Sequence, residues 1–177
     1  MYKFSSKQIG VSDFGMPLGM KLDPNNRWVK KAALIPWEEI EIRYAALFKN
    51  RKGNVAKPLR MALGALLIQT QYRFPDEEIP LQIQETPYLQ YFCGRLGYKD
   101  ELPFDSSLMV YFRKRLTPEI LGEINELIIS KAAPPEDEDN PPNKGEELFD
   151  MLPEQAREVA LERLQKIGLV NKDGLST

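Results

Sequence analysis

Residues 57–74 read KPLRMALGALLIQTQYRF, and this stretch decides the fold. Leu59, Ala62, Leu63, Leu66 and Leu67 recur at the spacing of a helix with one apolar face. Pro58 suits the first helical position, where the donor it lacks would have no partner. Further on, residues 103–116 read PFDSSLMVYFRKRL, a short helix ending in a basic cluster. Asp105 or Ser106 can cap it. Its spacing predicts a buried side of Leu108, Tyr111, Phe112 and Leu116. The opposite side carries Ser106, Met109, Val110, Arg113 and Lys114. A helix with a small, polar and basic outer face is what major-groove reading requires.

Between these two helices, Asp76 is a candidate cap for a helix with Glu77 and Glu78 in its first turn. Pro80 comes late for a first-turn proline, so that helix is expected to start late or distorted. Pro87 opens a short turn bearing Tyr88, Leu89, Tyr91 and Phe92. These aromatics alternate with other apolar residues beside Gly94, a pattern that favours core packing over base stacking. Cys93 reads as a small buried hydrophobe, since no base lies near it in sequence.

Towards the N-terminus, the pattern turns helical at Trp28 and starts strongly again at Pro36. Glu38 and Glu39 fall where a helix dipole favours acids. Trp37, Ile40, Ile42, Tyr44, Leu47 and Phe48 make a broad apolar face there. KNRKGN, residues 49–54, is a basic turn: either a solvated connection or, through Arg51 and Lys52, a phosphate contact. Residues 1–27, with several Gly and Pro, read as an irregular leader onto which Phe4, Phe14 and Leu22 can pack.

Thr117-Pro118-Glu119 opens another helix with Ile120, Leu121, Ile124, Leu127 and Ile128 on one face. AAPPEDEDNPPNKGEE, residues 132–147, is an acidic Pro-rich linker. The last element, residues 148–177, contains a helix with Pro153 near its start and Gly168 as C-cap. The expected organisation is therefore all-α: a leader over 1–27, a helix-turn-helix-like body over 28–131, the linker, and a C-terminal helix. About five or six helices are expected before residue 132 and one after the linker.

Composition narrows the chemistry. The chain has 177 residues, no histidine and one cysteine. Catalysis by a histidine base and zinc sites built on histidine are thereby excluded. A single cysteine suits a reducing cytoplasm, no apolar run reaches the ~20 residues of a membrane span, and no secretory signal is visible. Residues 1–133 carry 19 Lys+Arg against 15 Asp+Glu, whereas residues 134–177 carry 5 against 11. A mildly basic body with an acidic tail is compatible with a polyanionic partner.

The succession of RMALGALLIQ, DEE, ETPYLQYFCG and PFDSSLMVYFRKRL resembles the N-terminal domain of bacterial insertion-sequence transposases of the DDE, InsH-like kind. The upstream KLDPNNRWVKKAALIPWEEIEIRYAALF is similar to that family's leader, and the likeness covers roughly residues 1–131. It implies a helical domain that binds double-stranded DNA, with element ends as the expected site. Catalysis in such proteins belongs to a following RNase H-like domain with two Asp and one Glu holding divalent metals.

Asn143-Lys144-Gly145 is present, and Asp150 falls where that domain's first Asp would stand. FDMLPEQAREVALERL nevertheless reads as helix where a strand is expected. Asp150 therefore reads as a cap, and no catalytic residue, metal site or cofactor is expected. The resulting expectation is the DNA-binding half of a transposase, truncated or split. Helix 106–116 enters a groove while Arg113, Lys114 and Arg115 anchor phosphates; Arg115, near the buried face, can instead pair with an acid. The alternatives are a helical module that pairs with itself or with a full-length transposase, and a relic without function.

Overall fold

The computed structural model describes residues 1–4, 9–48 and 54–132, together with Glu154 and Glu158, both helical. The expected linker, the rest of the C-terminal helix, Asp150, Arg51 and Lys52 lie outside the described residues. The fold is all-α, with seven α-helices and no strand among the described residues.

Helix α3 spans Leu59–Tyr72, and each residue from Leu59 to Ile68 is buried. This departs from the one-faced helix expected of it. Met61, Ala65 and Ile68 form a second apolar row between the first, so no side of the helix is fit for water. The sequence supplies that completeness by having only Arg60 as a charged residue in the run. Gly64 permits a close approach: a Cβ there would lie 3.0 Å from the Cys93 sulfur. Pro58 is the N-cap of α3 and not its first residue. The Tyr2 hydroxyl accepts the Leu59 amide at 3.1 Å, which satisfies one of the donors a helix start leaves open. That hydroxyl also donates to buried Glu41.

Around α3 stand α1 (Arg27–Leu34), α2 (Trp37–Ala46), α4 (Glu78–Glu85), α5 (Pro87–Phe92) and α6 (Leu108–Arg115). Helices α2, α4 and α6 pack on α3 directly, and α5 packs on α1 and α4. Asn26 caps α1 by accepting the Trp28 amide at 2.9 Å. Trp28 and Trp37 both meet the buried Phe92 ring edge-on, with centroids 4.8 and 5.6 Å away. Tyr91 and Phe92 are thus core, as their alternation indicated, whereas Tyr88 is half-buried and its hydroxyl accepts the Asp23 amide at 3.1 Å. On α2, Trp37, Ile40 and Tyr44 are buried while Ile42 is 63% exposed, narrowing the broad face expected there. Helix α4 starts at Glu78, so Pro80 lies in its first turn, where it removes no helical hydrogen bond.

The described residues of 1–27 belong to the same compact unit, Met1–Arg115, as α1 to α6. Phe14 and Leu22 are buried in it, and Phe4 is exposed. Gly15 and Gly97 form a parallel bridge. A Cβ on Gly97 would sit 2.9 Å from the Gly15 carbonyl oxygen, so this contact requires glycine. The second unit, Leu116–Thr177, contains α7 (Pro118–Ala132), on which Leu121, Ile124, Asn125 and Ile128 are buried. No described helix is long and apolar enough to cross a membrane.

Candidate nucleic-acid interface

Helix α6 is launched by a polar turn. The Asp105 carboxylate accepts the Ser107 amide at 3.0 Å and the Ser107 hydroxyl at 2.5 Å. Those bonds favour its charged form and hold the carboxyl below its ordinary range. The carbonyls of Asp105 and Ser106 accept the amides of Leu108 and Met109 and begin the helix.

The rotation of α6 about its axis differs from the expectation. Met109 is fully buried with Phe112 and Leu116, whereas Tyr111 is 50% exposed and Leu108 is intermediate. Both 108–112–116 and 109–112–116 are helical stripes, so periodicity alone does not choose between them. Packing on α3 chooses the second, with Phe104 edge-on against Phe112 at 5.1 Å. Met109 therefore cannot touch a nucleic acid. The outward residues are Val110, Tyr111, Arg113 and Lys114, with Ser106 half-buried at the approach.

The basic cluster divides into three environments. Arg113 reaches across to Asp76 with two bonds, 2.8 and 2.5 Å, and to the Gln69 oxygen at 3.1 Å. Asp76 therefore serves as a counter-charge and does not cap α4. Hydrogen bonding to Arg113 holds the Asp76 carboxyl below its ordinary range, and Asp76 in turn raises Arg113. Lys114 is exposed, its ammonium 5.8 Å from the Tyr111 ring, and makes no ion pair with a described residue. Arg115 lies 5.0 Å over the Phe48 ring and pairs with no acid among the described residues. Burial raises the Tyr44 phenol, and the nearby Arg115 charge partly offsets that rise. The Tyr44 hydroxyl still lacks a well-formed hydrogen bond, so the influence of Arg115 on it is mainly that of its field.

Two arrangements gave no sequence signal. Arg60 is buried and donates to the carbonyls of Tyr91 at 2.7 Å and Phe92 at 2.8 Å, closing the C-terminus of α5. It also lies 4.9 Å over Trp37. At the far end of α3, the Tyr72 hydroxyl accepts from Arg27 and from the Trp28 indole. Arg60 and Arg27 each find partners more than 30 positions away in sequence. No local pattern announces such contacts.

Nucleophilic chemistry has no footing at Cys93, which is buried, with its thiol pushed up to about 12 by burial. Among the described residues, no three Cys, Asp or Glu side chains converge as ligands for a cation.

A family profile described as Transposase domain (DUF772) matches residues 17–115, more than half of the chain. This chain belongs to the DUF772 transposase-domain family. The matched segment ends at the last residue of α6, so it takes in α1 to α6 and all three basic residues of that helix. A relative in Rhizobium meliloti, the uncharacterized protein ORF8 in the nfe locus, is 30% identical over 103 residues. The alignment covers 58% of this chain and 49% of the relative, so the DUF772 chain spans about half the length of that relative. No solved structure matches.

Proposed function

We propose that residues 1–115 form the DNA-binding module of a transposase, with α6 presented to the duplex. The observation that carries this reading is the outward face of α6. Within a transposase-family domain, its last turn holds Arg113, Lys114 and Arg115, with Val110 and Tyr111 exposed beside them. An exposed ammonium and a phenol hydroxyl are suited to phosphate oxygens, and Val110 to a base edge or thymine methyl. Ser106 lies at the start of this face. The module serves recognition and leaves strand transfer to residues outside it. The basic turn with Arg51 and Lys52 is proposed to add a phosphate contact.

Binding of a labelled duplex across a salt series tests the reading. The intact chain should lose affinity steeply with salt, and replacing Lys114, which is exposed and makes no ion pair with a described residue, with Ala should lower the log–log slope by about 0.9, the counterion release of one phosphate. Unchanged slope with an unchanged melting temperature refutes the role of α6.

A second reading, an interaction module, has its own observation. Phe4, Ile42 and Leu96 are 64, 63 and 57% exposed and line a cleft of about 400 Å³. Exposed apolar side chains grouped in this way suit a protein partner such as a second copy or a longer transposase. Sizing with and without DNA distinguishes the two: self-association that needs no DNA and is lost in Ile42→Lys favours the second.

A further inference from the structure

The charge that α6 was expected to offer is partly cancelled, because Asp76 occupies both terminal nitrogens of Arg113. Cations without a carboxylate are found next to it. Arg27, at the start of α1, and Arg73, at the end of α3, are exposed, and neither makes an ion pair among the described residues.

Arg27 is held through its side chain, and Arg73 is positioned through its backbone. Arg27 donates to the Tyr72 hydroxyl with its guanidinium 5.4 Å from the Tyr72 ring. Tyr72 is itself oriented by the Trp28 indole at 3.2 Å and by stacking on Phe74 at 5.2 Å. Arg73 has left-handed backbone geometry, φ 57°, and its amide closes α3 on the Gln69 carbonyl at 2.6 Å. Held by its neighbours, Arg27 loses less freedom on binding than a swinging lysine.

The same residues lead back to α6. Gln69, one turn before Arg73, accepts from Arg113 and donates to the Phe74 carbonyl at 3.1 Å. Arg27, Tyr72, Phe74, Gln69 and Arg113 thus form one continuous edge of the Met1–Arg115 unit.

We propose that this edge is a second DNA contact, in which Arg27 and Arg73 clamp the sugar–phosphate backbone beside the groove entered by α6. The occupant is duplex DNA, because guanidinium groups without a counter-charge complement phosphate oxygens and carry no base pattern to read. The inference rests on the DNA-binding reading above.

The test compares the intact chain, the double variant Arg27→Gln and Arg73→Asn, and the α6 variant Lys114→Ala on one labelled duplex over a salt series. Gln keeps a donor for Tyr72, and Asn tolerates the left-handed backbone at position 73. The double variant should lower the slope by about 1.8, two phosphates at ~0.9 each, and weaken binding to all duplex sequences equally. Arg27→Lys with Arg73→Lys should restore the slope. An unchanged slope in a double variant that melts like the parent overturns the clamp and leaves α6 standing. A parent chain that does not bind duplex overturns both readings. Equal binding of a single strand of the same length overturns the assignment to duplex. Should the double variant melt early, the Lys pair decides: a full slope supports the clamp, a reduced one refutes it.

Discussion

Arg113 and Asp76 form a two-pronged ion pair that ties α6 to the turn before α4, 37 positions away in sequence. Both side chains are partly exposed, so the pair contributes on the order of 0–1 kcal/mol to stability. It also determines how much positive charge α6 can show to a polyanion.

Removing the acid should therefore strengthen DNA binding at little cost in stability. Asp76→Asn is expected to steepen the salt dependence by about 0.9, one additional phosphate contact, while the melting temperature barely moves. Filter binding of parent and variant at matched salt measures this. A variant that binds no more steeply shows that Arg113 does not contact phosphate even when free.

The same pair predicts an acid dependence. The folded-state pKa of Asp76 is depressed, so its contribution is present above the unfolded carboxylate value, about 3.9, and is lost as pH falls through the lower folded value. Below about pH 4 the difference in unfolding free energy between parent and Asp76→Asn should shrink. Urea titrations at neutral pH and in that acid window check the sign.

Burial distinguishes two neighbours on α6. Met109→Ala empties a fully buried site and should cost about 2–5 kcal/mol. Val110→Ala, at an exposed site, should stay within about 0.5 kcal/mol. If chemical denaturation gives the reverse order, the rotation of α6 described above is wrong.

Arg60 works as a buried clasp on α5. Arg60→Met keeps the aliphatic stem but strips the donors from the Tyr91 and Phe92 carbonyls, at a cost of about 1–3 kcal/mol for each group left unsatisfied. Gly94→Ala should act on the same clasp, since its Cβ would meet the Arg60 side chain at 2.8 Å and the residue sits at φ 82°. Thermal melts of both variants should drop by several degrees, whereas a melt unchanged in either denies Arg60 that role.

Cys93 should resist a thiol reagent in the native protein, because it is buried and its thiol stays protonated near neutral pH. Labelling should proceed at the rate of unfolding, and fast native labelling would show that α5 opens readily.

Local pattern determined the elements. The period of 57–74 marked α3, acids marked the start of α2, Pro87 marked α5, and Asp105 marked the turn into α6. Each of these signals lies within a few residues of the structure it controls, because helix period, dipole and capping act through the nearest turn.

Tertiary packing decided what the elements present. Which of Leu108 and Met109 turns inward depends on α3, Phe104 and Phe112 together, and two stripes one residue apart are equally helical. Arg113 is basic in any reading, yet its partner Asp76 is 37 positions away and itself resembled a helix cap. Arg27 became a fixed cation only when Tyr72 came to lie beside it. A side chain's availability depends on its spatial neighbours, and a linear pattern records only its chain neighbours. The sequence by itself settled an all-α transposase-family chain; the packing of α3 against α6 settled which side chains of α6 face outward.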